Sequence, residues 1–111
     1  MANVLLSWTA PSVTTNVDGI VVLRMADPGS APACDSFIAA NKVRSNSGTA
    51  ANDTGLDVES GVLQVGSDLA VSDTSVVDSG VPTGDYYYAA FSYNAAGYSP
   101  CTVTDSALSI T

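Results

Sequence analysis

Few residues in this chain are suited to making or breaking bonds. Its 111 residues include no histidine, which rules out a Ser-His-Asp triad or a Cys-His pair. Two cysteines, Cys34 and Cys101, stand far apart with no CxxC spacing. Zinc needs more nitrogen and sulfur ligands than two thiols provide. The residues alone leave two readings for the cysteines, a disulfide or two buried thiols. Glycoside hydrolysis needs paired carboxylates across a cleft, one of them kept protonated. The eleven acids here fall mostly in segments that read as solvated loops. Gly61-Val62-Leu63-Gln64-Val65-Gly66 lacks the spacing and the lysine of a phosphate-cradling loop. The expectation is no enzyme, no catalytic residue and no resident cofactor.

Two weaker binding chemistries remain. Asn52-Asp53-Thr54-Gly55-Leu56-Asp57-Val58-Glu59 spaces oxygen ligands along a loop, as a flexible calcium site requires. Asp53, Asp57 and Glu59 are the candidate ligands, although the pattern is not an EF-hand and plain solvation is the competing reading. Aromatic side chains exposed on a strand would bind carbohydrate, and Tyr87, Phe91, Tyr93 and Tyr98 are the candidates. Against this stands burial of the first three beneath other parts of the chain, with Tyr98 capping an end.

The elements that must position these residues are strands. Hydrophobic residues make up 46% of the chain and charged ones only 13%, and long solvated helices need more Glu and Lys than the one of each present. The apolar content is too high for disorder, and the length fits one domain spanning residues 1–111. A net charge of −8 with only Arg24, Lys42 and Arg44 as cations repels phosphate backbones, so nucleic acid is not an expected partner. No apolar run is long enough to cross a bilayer. Met1-Ala2-Asn3-Val4-Leu5-Leu6 runs straight into a strand without the basic start of a signal peptide, so the chain reads as a module of a longer exported protein.

Residues 4–9 read as a strand stopped by Pro11, and residues 20–25 as the strongest strand, apolar and β-branched. Residues 26–61 are looser: Asp27-Pro28-Gly29 is a turn, and Phe37-Ile38-Ala39-Ala40 fits either a helical turn or a short strand. Strand-like periodicity returns at 61–66, 69–71 and 74–78, then at the aromatic run 86–93, with a last strand over roughly 101–110. Short strands divided by turn signals describe an antiparallel sandwich or a small barrel.

Four segments together carry a family resemblance. They are Leu6-Ser7-Trp8-Thr9-Ala10-Pro11, Gly19-Ile20-Val21-Val22-Leu23-Arg24, Val81-Pro82-Thr83-Gly84-Asp85-Tyr86, and the run from Tyr88 through Tyr93-Asn94-Ala95-Ala96-Gly97 to Tyr98-Ser99. In order and spacing they resemble the second, third and sixth strands of a fibronectin type III module, of the divergent kind found in large bacterial secreted and surface proteins. About half the chain is covered, at both ends. The resemblance implies an all-β, immunoglobulin-like antiparallel β-sandwich, with Trp8, Ile20, Val22, Tyr86 and Tyr88 in the core and Tyr86 at the tyrosine corner. It also implies an extracellular or cell-surface setting, and with it a Cys34–Cys101 disulfide. The chain departs from the family in three ways. Ile20 replaces the usual aromatic, a long insertion occupies approximately residues 26–75, and the first strand is missing. A missing first strand leaves a neighbouring edge unpaired, a template for another chain's strand unless this chain covers it.

Alternation along the aromatic run puts Tyr86, Tyr88, Ala90 and Ser92 inward and Tyr87, Ala89, Phe91 and Tyr93 outward. With Val21 and Leu23 on the same outer side, and Tyr98 nearby in sequence, that face is too apolar to stand in water. Val21, Leu23, Tyr87, Phe91, Tyr93 and Tyr98 are thus candidates for an interaction face, unless Phe37, Ile38, Val62, Leu63 and Val65 of the insertion cover it. A bridge from Cys34 to Cys101 would pin the insertion there. The expected function is a non-catalytic structural or adhesion module whose partners are neighbouring modules, subunits or a surface ligand. The alternatives are a filament subunit joined by strand addition at the open edge and a carbohydrate-binding module.

Overall fold

The computed structural model describes residues 2–9, 17–38, 59, 61–94, 97–98 and 101–111. Among them the strands are β1 (Ala2–Ser7), β2 (Gly19–Ala26), β3 (Leu63–Gln64), β4 (Ser75–Val81), β5 (Gly84–Asn94), β6 (Gly97–Tyr98), β7 (Thr102–Val103) and β8 (Leu108–Ile110). A 3-10 turn occupies Cys34–Ser36. The strands form two antiparallel sheets, the smaller made of β1 and β4. In the larger, β3, β2 and β5 lie side by side, and β6, β7 and β8 pair in succession along the other edge of β5. The chain is all-β in the described residues and sandwich-like in its layering.

β2 and β5 form the centre because their residues suit a strand covered on both sides. Ile20, Val21 and Val22 are β-branched, and β5 is rich in aromatics. Their register pairs Val21 with Phe91, Leu23 with Ala89 and Met25 with Tyr87 on one face. On the other face it pairs Ile20 with Ser92, Val22 with Ala90 and Arg24 with Tyr88. The second set, with Val65, packs toward Val4, Leu6, Trp8 and Val76 of the smaller sheet. The first set packs with Phe37, Ile38 and Val62 of the insertion. Three layers result: the β1–β4 pair, the central sheet, and a cover built from the insertion.

Gly19, where β2 begins, is required by close packing. A Cβ there would lie 2.6 Å from the Tyr93 hydroxyl and 2.9 Å from the Leu69 carbonyl oxygen. Leu69 sits this close because it exchanges both backbone hydrogen bonds with Ile20, at 3.0 and 2.8 Å. That bridge is all that forms from the strand expected at 69–71. The expected last strand is also broken, into β7 and β8. Thr104 interrupts it by donating its N–H to Tyr88 O while its Oγ1 accepts the Tyr88 N–H. A side chain thus replaces one rung of the ladder, and the chain turns at Asp105 and Ser106 before pairing again. β1 starts two residues earlier than its apolar run, because Asn3 Oδ1 accepts the Gly80 N–H at 3.1 Å beside an irregularity in the β1–β4 register.

Candidate functional site

The outer face of the central sheet was the first candidate for partner binding, and the insertion occupies it. Val21 and Leu23 are fully buried, and Tyr87 and Phe91 nearly so. Phe37, itself 0% exposed, lies in the same cluster with Ile38 and Val62. Local backbone bonds shape this cover. Phe37 and Ile38 N–H both donate to Cys34 O, Glu59 N–H donates to Phe37 O, and Val62 N–H donates to Glu59 O. The Cys34–Cys101 disulfide, across 67 residues, ties the start of the cover to the chain just before β7. Val21, Leu23, Tyr87 and Phe91 are therefore core residues of this fold and present no surface to a ligand. Tyr93 is half-buried, and its hydroxyl lies 3.3 Å from Asp68 Oδ2. Tyr98 pairs with Tyr93 in register.

The inner face holds a polar group that the sequence reading passed over. Arg24 Nη1 donates to Asp78 Oδ2 at 2.9 Å, and the Tyr88 hydroxyl donates to the same oxygen at 2.8 Å. The guanidinium also lies 5.0 Å from the Tyr86 ring centroid, within cation–π range. Acids were expected mainly in loops, yet Asp78 is a buried strand residue. The corrective signal was alternation: Ile20 and Val22 point inward, so Arg24 does too, and an inward cation needs a partner. Val76 faces inward on β4, and Asp78 follows it by two residues. Strands from both sheets thus meet in one ion pair.

Burial, followed by the hydrogen bond to Asp78 and that carboxylate's charge, holds the Tyr88 hydroxyl well above the usual tyrosine range, with Arg24 opposing. In the unfolded chain a tyrosine ionises near pH 10, on the order of its free value, so the unfolded state loses that proton first. Stability is then level through neutral pH and falls as pH rises past about 10. Urea melts at increasing alkalinity are expected to show a steeper loss for the native chain than for Tyr88→Phe. Parallel losses would contradict this assignment.

Trp8 was expected to fill the core, and the structure places it at the rim. It is half-buried, and its Nε1 is buried without a hydrogen-bond partner among the described residues. The centre of the inner cluster belongs instead to Ile20, Val22, Val65 and Tyr88, while Tyr86 packs at its margin beneath Arg24. Trp8 sits at the rim because β1 pairs with β4 alone among the described residues. Its other flank opens into a groove of about 510 Å³ between β1 and the inner faces of β2, β5 and β7.

Of the calcium candidates, Asp53 and Asp57 lie outside the described residues. Glu59 contributes its backbone to the cover. Among the described residues no group of three or more His, Cys, Asp or Glu is placed to hold a metal, and no helix is long and apolar enough to cross a membrane. Comparison with protein-family models, with curated proteins and with solved structures gives no match.

Proposed function

We propose that this chain is a non-catalytic structural or adhesion module of an exported protein, built on an immunoglobulin-like sandwich of fibronectin type III kind. The observation that carries the reading is the disulfide-pinned cover. It commits the most apolar face to internal packing, and a bond of this sort persists in oxidising compartments. The strand order adds support. A β1–β4 pair faces a β3–β2–β5 sheet, with the last strands on the far side of β5, a layering compatible with a sandwich of two antiparallel sheets. The acidic surface suits solubility at high local concentration, as display or spacing requires.

Producing the chain with and without an export signal tests this reading. The exported product is expected to be lighter than the reduced chain by the two hydrogens of one disulfide, and to resist limited proteolysis. The product of a reducing cytosol is expected to be reduced and readily cut. A cytosolic product with free thiols and equal protease resistance would oppose the reading.

A further inference from the structure

We propose that the groove beside β1 receives one extended segment of a different polypeptide, apolar at alternate positions and flanked by basic residues. The unpaired edge comes first. Trp8 N–H donates to Thr74 O at 2.9 Å, and the β1–β4 register continues through Leu6 with Val76 and Val4 with Asp78. In an antiparallel pair only alternate residues bond the partner. The backbone groups of Val4, Leu6 and Trp8 therefore face β4, while those of Leu5 and Ser7 face away. No strand lies beside them among the described residues. An edge of this kind is a template for strand addition.

The floor beside that edge is also uncovered. Val22, Ala90 and Thr102 are cross-strand neighbours on β2, β5 and β7, all on the inner face. Along that row burial falls from 2% exposed at Val22, through half-buried Ala90, to exposed Thr102. The smaller sheet thus roofs β2 and β5 and stops short of β7. A strand added beside β1 would run about 4.8 Å from it, over Ala90 and Thr102. A single extended segment fits.

The chemistry of the walls selects that segment. Leu6, Ile20, Val22 and Tyr88 are apolar or aromatic, Ala90 and Thr102 are small, and no charged side chain among the described residues lines the groove. Medium aliphatic side chains at every second position would fill it. The molecule around it carries −8, and the one described cation, Arg24, is paired with Asp78. Flanking lysines or arginines on the incoming segment are attracted by this field, and an equally acidic copy of this chain is repelled.

The probe is a short synthetic peptide alternating valine and threonine between lysine pairs, with a glutamate-flanked counterpart as control. Amide exchange is followed residue by residue on the oxidised chain. In the free chain the Leu5 and Ser7 amides are expected to exchange quickly, and the Leu6 and Trp8 amides slowly. The lysine-flanked peptide is expected to slow Leu5 and Ser7 by about tenfold or more, and the glutamate-flanked one to leave them fast. Ser7→Pro removes an edge N–H that β4 does not use, and is expected to abolish the protection. If that variant loses its fold, Thr102→Arg, which fills the groove from an exposed position, is expected to abolish it too. Leu5 and Ser7 amides already protected in the free chain would overturn the proposal, because the chain would then fill its own edge. Equal protection by both peptides, or by neither, would overturn it as well.

Discussion

Replacing Phe37 with alanine is expected to destabilise the chain by about 4 kcal/mol, the usual cost of removing a buried phenyl ring. Phe37 follows a 3-10 turn in a segment of mixed composition, where a surface loop would be the ordinary expectation. It is nevertheless 0% exposed and clusters with Val21, Leu23, Tyr87 and Phe91. Its removal leaves a void against two central strands that cannot collapse without shifting β2 or β5. Leu63 is the control: it lies in the same insertion but is 55% exposed, so Leu63→Ala should change stability by less than about 0.5 kcal/mol. Urea denaturation of both variants makes the comparison. A Phe37→Ala chain as stable as the native one would mean that the cover is not part of the core.

The second large effect belongs to the disulfide. Closing a loop of 67 residues restricts the unfolded chain enough to stabilise the fold by about 4 kcal/mol in the chain-entropy model. The Cα atoms of Cys34 and Cys101 stand 5.7 Å apart, inside the span that a bridge accepts without moving the backbone. The double variant Cys34→Ser with Cys101→Ser is therefore expected to lose a large part of a small domain's stability. The two effects should not add. Phe37 lies three residues beyond Cys34, so a cover freed at that end holds the ring less firmly. In the bridge-free background Phe37→Ala is expected to cost less than in the native chain, a coupling that a double-mutant cycle reads directly. Full additivity would mean that bridge and ring act on separate parts of the fold.

The layering was legible in the sequence wherever alternation ran unbroken. Tyr86 to Tyr93 and Ile20 to Leu23 sort onto two faces by position alone, and the structure sorts them the same way. An outer face bearing Val21, Leu23, Tyr87 and Phe91 called for a cover or a partner, and Phe37, Ile38, Val62, Leu63 and Val65 were the apolar residues available to cover it; the first three do. The insertion itself was less readable. Its contacts with the central sheet are tertiary, and its local sequence gives no period to show which residues turn inward. Leu63 and Val65 show the limit, since both looked fit for the cover. Leu63 faces solvent, and Val65 packs on the inner face instead.

The inner side was harder to read for a different reason. An ion pair between Arg24 and Asp78 depends on two strands 54 residues apart in sequence meeting across the layers, and composition gives no hint of that. The position of Trp8 followed the same logic. Its expected place in the core came from the family resemblance, and with β4 the one described strand beside β1 the indole rests at the edge of a groove. Among the described residues no second strand lies beside β1. What that does to Trp8 emerges only when the sheets are stacked.

Contact between the Phe37 ring and the central sheet is measured most directly by nuclear Overhauser spectroscopy on the oxidised chain. Cross-peaks are expected from the Phe37 ring protons to methyl groups of Val21 or Leu23 or to the Phe91 ring, within the one buried cluster they share. A Phe37 ring with only sequential cross-peaks and random-coil shifts, in a chain whose β2–β5 ladder is intact, would contradict a cover built from the insertion.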